Sequence, residues 1–230
     1  MDSIKTRFES IKKQVQEAAL ACGRDPESVT LIGVSKRKSA DIITRGLEAG
    51  ASHLGENYIQ EAVEKIDILG RDRACWHFIG HLQSNKAKFA VKYFDYIHTV
   101  DKIKLAREIN KQAKKIDKIQ KVLIEVNIAE ESSKSGARAQ DILSLARDIG
   151  QLENLSLQGL MCMPPFFDDP EKARPYFRDL VEIRDQITRA ALPNVFMNHL
   201  SMGMSNDFRV AIEEGATMVR VGTAVFGSRE

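Results

Sequence analysis

The sequence predicts an α/β fold, a single (β/α)8 TIM-type barrel over residues 1–230 with an extra helix ahead of its first strand. Three observations predict it. Eight short apolar runs alternate with eight amphipathic segments, which makes strands alternate with helices. Several runs are apolar at consecutive positions, as in strands of a parallel sheet covered on both faces. Eight strands in 230 residues leave about 29 residues per unit, the pace of a compact barrel of about 250 residues. A doubly wound open sheet is the competing arrangement, but no G-x-G-x-x-G turn follows the first strand. No Pro/Gly/Ser-rich linker and no residue-level repeat divides the chain.

The elements follow in order. Residues 3–21 are amphipathic and charged and read as the leading helix; without an apolar core or small-residue cleavage site they are no signal peptide. VTLIGVS (29–35) is the first strand. Ser39 precedes Asp41 and an apolar stripe, as an N-cap does, which starts a helix over 40–48; Gly50 follows it as a C-cap glycine does. His53 and Leu54 form the second strand, with a helix over 58–69. WHFIG (76–80) and a helix over 85–91 make the third unit, YIHTV (96–100) and a helix over 102–116 the fourth. KVLIEVNI (121–128) precedes a helix over 139–151. LQGLM (157–161) precedes one over 171–190, and VFMNHL (195–200) one over 207–214, ended by Gly215. MVRV (218–221) is the eighth strand, with a short helix in the tail.

Composition excludes several classes. Thirty-four Lys and Arg against 32 Asp and Glu give a net charge of +2, too balanced for a dedicated nucleic-acid binder. The basic clusters Lys111/Lys114/Lys115/Lys118 and Arg37/Lys38 read as solvated faces. No run of about 18 apolar residues predicts a membrane span. Cys22, Cys75 and Cys162 form neither a C-x-x-C pair nor a disulfide framework, so a cytoplasmic location is expected.

In such a barrel, chemistry gathers at the C-terminal strand ends. Lys36 closes the first strand's loop. A desolvated lysine there is neutralised, paired or covalently occupied, and is the usual Schiff-base former; the alternative is a solvated loop lysine. After the second strand, Glu56 or Asn57 faces the mouth, or Asn57 caps a helix. After the third, His81 binds a ligand or only a loop, whereas His77 reads as a packed barrel histidine. Ser201, Gly203 and Ser205 follow the seventh strand, and Gly222 and Thr223 the eighth. Barrels often hold phosphate between these two loops, on the N–H groups of a helix start; the alternative is two ordinary turns, with Ser205 as N-cap. A strand-end lysine facing a phosphate cradle is the layout for a phosphorylated aldehyde held as an imine, and pyridoxal 5'-phosphate (PLP) fits.

The segments VSKRK (34–38), GENYIQE (55–61), HFIGHLQSNK (77–86), SKSG (133–136), GLMCM (159–163), LSMGMSNDF (200–208) and MVRVGTAVFGSR (218–229) together resemble the YggS/PROSC family of PLP homeostasis proteins, end to end. That family resembles the N-terminal barrel of alanine racemases and other fold-type III PLP proteins. The resemblance implies a PLP Schiff base on Lys36 and phosphate contacts from Ser201, Gly222 and Thr223, with Ser205 and Gly203 as further candidates. It implies Arg220 facing the pyridine nitrogen, Asn57 near the ring, and His199 supporting Arg220 from behind. An arginine donates a hydrogen bond but does not readily give up a proton, so the ring is a weaker electron sink than one paired with an aspartate. The racemases add a tyrosine from a second domain at a dimer interface. This chain is expected to lack such a domain, and Tyr58, Tyr93, Tyr96 and Tyr176 are expected away from the mouth. The expected function is intracellular PLP homeostasis without a complete catalytic set, by a monomer or weak dimer, with PLP-dependent apoenzymes as acceptors. A PLP-dependent amino-acid racemase or decarboxylase is the alternative, and a lyase or isomerase of phosphorylated sugars using Lys36 without PLP is a third reading. Lys38, Lys134 and Arg138 are candidates for steering phosphate to the mouth.

Overall fold

The strands are short because each spans the wall of a closed barrel. In the computed structural model, which describes residues 3–131 and 135–227, all eight pair in parallel and in sequence order, β8 closing on β1. The elements are α1 (Ile4–Ala21), β1 (Thr30–Val34), α2 (Ala40–Glu48), β2 (His53–Glu56), α3 (Ile59–Leu69), β3 (Cys75–Phe78), α4 (Ala87–Tyr93), β4 (Tyr96–Val100) and α5 (Ile103–Lys114). They continue as β5 (Gln120–Val126), α6 (Ile142–Gly150), β6 (Leu155–Cys162), α7 (Arg174–Arg189), β7 (Val195–Ser201), α8 (Phe208–Glu213), β8 (Met218–Val221) and α9 (Thr223–Phe226).

Local chemistry sets the helix ends. The hydroxyls of Ser3 and Ser39 accept from the N–H groups of Thr6 and Ile42, capping α1 and α2. Gly50 and Gly215 take φ of +96° and +99° beyond α2 and α8, the left-handed turn that favours glycine. Three helices start later than the pattern predicts. The turns Ser84–Lys86, Ala139–Asp141 and Pro170–Ala173 are tighter 3-10 windings that lead into α4, α6 and α7. Ser205 is not the cap of α8. Asp207 holds that position, and its Oδ1 accepts the Met204 N–H at 2.6 Å.

Period-two alternation splits the core into two shells. Outside the barrel wall, Trp76, Phe78, Phe94 and Phe177 are fully buried under the helices. Inside it lie Ile32, Leu123, Met161 and Met218, together with the polar side chains His77, His98, Ser201 and Arg220. The leading helix α1 covers the seam beside β8, burying Phe8, Ile11 and Val15, and Arg7 Nε donates to Val225 O at 3.0 Å. Two lysines depart from the solvated reading. Lys38 is only 8% exposed. Lys118 donates to Val91 O and Phe94 O at 2.6 and 2.7 Å, closing the C-terminal turn of α4, and burial brings its pKa down to about 8.

One glycine is dictated by the barrel wall. β6 bulges at Gln158, shifting its register against both β5 and β7. Next to it, Gly159 takes φ +158°, and a Cβ there would meet His199 O at 1.8 Å. Gly159→Ala is therefore expected to lower stability by about 3 kcal/mol or more, since only backbone movement relieves the clash. Urea unfolding measures it; a loss under about 1 kcal/mol would mean the β6–β7 seam yields easily.

Candidate functional site

The site is built at the mouth, from the loop that carries Lys36. Inward-facing Val34 is followed two residues later by half-buried Lys36. Between them, Ser35 turns outward, and its Oγ donates to Glu56 Oε1 at 2.7 Å. Lys65, on α3, donates to that same Oε1 and to Ser35 O, both at 2.8 Å, and also pairs with Glu61. Glu61 accepts from the Arg37 N–H. Arg37 itself takes φ +59°, an uncommon conformation for a non-glycine residue, and it turns the chain directly after Lys36. The lysine loop is thus tied down on both sides, at Ser35 by the buried Lys65–Glu56 pair and at Arg37 by the partly exposed Glu61. Burial raises the pKa of Glu56, which is fully buried, and the Lys65 ammonium works against that rise.

On β8, the strand directly beside β1, Arg220 is paired in register with Ile32 and is 4% exposed. Its Nη1 donates to Ser201 Oγ at 2.8 Å and its Nη2 to Cys162 O at 2.9 Å. Burial lowers its pKa, while Cys162, Asp207 and Glu125 act in the other direction.

Beside these groups lies a cavity of about 180 Å3, lined by Asn57, His81, Thr99, Glu125, Asn127 and Met163 among others. Three buried acceptors here have no partner among the described residues: Asn57 Oδ1, Glu125 Oε2 and Asn127 Oδ1. Buried acceptors without donors are costly, so this cavity favours hydrogen-bond donors, water among them. Gly80 closes its wall, and a Cβ there would stand 2.1 Å from Asn57 O.

Burial, with Asp101 adding repulsion, pushes the Glu125 carboxyl up to about 7. Its ordinary value is 4.5, so between those two pH values the folded chain holds a proton that the unfolded chain has lost. Stability therefore falls as pH rises through that window and levels off above it. Glu125→Gln is expected to stabilise the ligand-free protein by up to ~3 kcal/mol at pH 8 and to have little effect near pH 4.5. Urea unfolding at the two pH values checks this; an equal effect at both would remove Glu125 ionisation as the cause.

The predicted site residues divide. Lys36, Asn57 and Arg220 stand around the mouth. Gly222 caps α9, and Thr223 is exposed at its first turn. Gly203 is a packing residue: its carbonyl accepts the Arg220 N–H, and a Cβ would meet that of Ala211 at 2.7 Å. Ser205 sits in an exposed turn. The geometry places three of the expected residues differently. Ser201 is buried with its hydroxyl turned into the barrel, bonded to Arg220 and to His98 Nδ1 at 3.0 Å, because it continues the inward register of β7. His199 does not support Arg220. It lies one inward position lower on β7, 3.5 Å from Thr217 Oγ1 and against the Tyr96 ring, and Ser201 takes the supporting role. Tyr58 is the third. It is the N-cap residue of α3 on the mouth side, 45% exposed, with the Arg37 guanidinium 5.8 Å from its ring centroid. Lys134 lies outside the described residues.

Sequence reasoning missed Lys65, Glu125, Ser35 and His98. A lone acid within the apolar KVLIEVNI and a lysine on the Ala62–Ile66 stripe were the available signals.

The alanine racemase N-terminal domain family matches residues 8–230. The pyridoxal phosphate homeostasis protein of Vibrio alginolyticus is 42% identical, over 100% of this chain and 99% of that one. The structure of PipY from Synechococcus elongatus with PLP bound superimposes with a TM-score of 0.86 at 33% identity, covering 98% of this chain and 100% of PipY. The alanine racemase of Clostridium difficile shares the fold at a TM-score of 0.72 and 15% identity, and this chain covers 56% of it. The barrel, its sequence and these relatives together show that the chain belongs to the pyridoxal phosphate homeostasis protein family, within the alanine racemase N-terminal domain fold.

Proposed function

We propose that the chain holds PLP at the barrel mouth as a Schiff base on Lys36 and serves intracellular PLP homeostasis, releasing or transferring the cofactor instead of using it for turnover. The observation that carries this reading is the pinned Lys36 loop at the end of β1, beside a buried, doubly anchored Arg220 on the adjacent strand β8. The mouth residues fit the group. Lys36 offers an amine, Arg220 a buried hydrogen-bond donor, and Gly222 and Thr223 offer N–H groups at a helix start to an anion. When bound, PLP supplies an aldehyde carbon for imine chemistry and an electron-withdrawing ring. Arg220 would donate a hydrogen bond to the ring nitrogen without protonating it, which keeps the ring a weak sink. Ser201 and Cys162 O hold its guanidinium in place. Tyr58 places a phenol on the mouth side, its hydroxyl 3.4 Å from Arg37 Nη2.

The test is a visible spectrum of the protein with PLP, before and after borohydride, followed by peptide mapping. An imine band that reduces to a stable label on Lys36 is expected. A label elsewhere overturns the assignment. Turnover of a common amino acid, lost in Lys36→Ala, would overturn the homeostasis reading in favour of a racemase or decarboxylase.

A further inference from the structure

The end of the barrel opposite the mouth usually reads as stability rather than chemistry. Here it carries three good metal ligands. His53 opens β2, Cys75 opens β3, and the two are in register; His77 lies two residues along β3 on the same inward side. One ligand atom from each lies within 4.8 Å of the other two. His53 Nδ1 and His77 Nε2 are 3.0 Å apart. Two imidazole nitrogens on a tetrahedral zinc, at ~2.0–2.1 Å each, stand roughly 3.3–3.4 Å apart, so the pair needs to open by only a few tenths of an ångström.

We propose that His53, Cys75 and His77 form a transition-metal site of the Zn2+ or Co2+ class, with the fourth position left to water. Two imidazoles and a thiolate are the ligand set such ions select over Mg2+ or Ca2+. The outer shell is in place. His77 Nδ1 is 2.9 Å from His98 Nε2, which fixes the ring and leaves Nε2 for the ion. Tyr96 stacks on the His77 ring at 4.9 Å. Asp95, which accepts the Trp76 N–H at 2.7 Å, supplies negative charge that attracts a cation; burial, together with that charge, pushes the metal-free Cys75 thiol up to about 12, so the thiol loses its proton only as the ion takes its place. Lys121, over the Tyr96 ring at 5.0 Å, opposes it from the exposed side. His53 and Cys75 are half-buried, giving the ion a route in. Binding breaks the S–H bond of Cys75, forms the S–metal bond and sends one proton to solvent, with no change of oxidation state. The site is independent of the PLP reading.

The experiment is a Co2+ titration of the full chain, stripped of metal by chelator and kept reduced. One equivalent is expected to produce a thiolate-to-Co2+ charge-transfer band and the intense d–d bands of four-coordinate cobalt, bleached by Zn2+, with one proton released. Cys75→Ser is expected to abolish the charge-transfer band. His53→Ala should weaken binding about tenfold or more, a loss of ~1.4 kcal/mol or more. Cys22→Ser, at an exposed thiol, should change neither. Circular dichroism checks that each variant folds; if Cys75→Ser does not, His53→Ala decides. No charge-transfer band, or one that survives these variants but is lost in Cys22→Ser, overturns the site.

Discussion

Lys65→Met is expected to lower folding stability by about 3–5 kcal/mol, because it strands Glu56 as an uncompensated buried charge. Glu56 is fully buried and its Oε2 already lacks a partner; Lys65 supplies the one cation bonded to Oε1 among the described residues. The same ammonium holds Ser35 O, so the lysine loop loosens together with the ion pair. The compensating change is as informative as the lesion. In Lys65→Met/Glu56→Gln no fully buried charge remains to be stranded, only the partly exposed Glu61, and most of the lost stability should return. Urea unfolding of the two single variants and the double variant forms the cycle. A loss below about 1 kcal/mol in Lys65→Met would show that solvent or another cation reaches Glu56.

Lys36→Ala is expected to have the largest effect on cofactor handling. The variant should show no imine band and no borohydride-stable label at any PLP concentration. Residual affinity should come from the mouth cavity and the α9 turn, so PLP should bind about 10- to 100-fold more weakly, or ~1.4–2.8 kcal/mol, and leave freely on gel filtration. Equilibrium dialysis against the unaltered protein measures this. Stability should change little, because Lys36 is a half-buried loop residue. An unchanged affinity would mean the lysine contributes nothing to retention.

Most of the fold could be read from the sequence because its signals are local. β4 and β8 have the predicted boundaries, and Ser39 and Gly50 act as the caps their positions imply. Residues 158–159 could not be read so easily. LQGLM looks like a plain strand, and only the pairing with two neighbours shows that Gln158 bulges. The candidate site was legible where an apolar run stops at a chemical residue, as at Lys36 and Arg220. It was illegible where a side chain's partner comes from a distant element. Nothing near Lys65 announces Ser35, thirty residues back, and nothing near Ser201 announces His98. A strand-end hydroxyl is as compatible with an anion outside the barrel as with a guanidinium inside it, and only the register of β7 decides.

The four inward polar side chains His77, His98, Ser201 and Arg220, with His53 below them, act as a single directional object. Each contact between neighbouring histidines holds one proton, so if His77 donates upward to His98, then His98 donates upward to Ser201. If His77 instead donates downward to His53, the Ser201 hydroxyl must donate to His98. The Arg220 end never reverses, because a guanidinium only donates. The column therefore has two polarities, and its members cannot choose independently. Whatever fixes the proton on His53 at one face of the barrel also decides which way the Ser201 hydroxyl points beside Arg220 at the other.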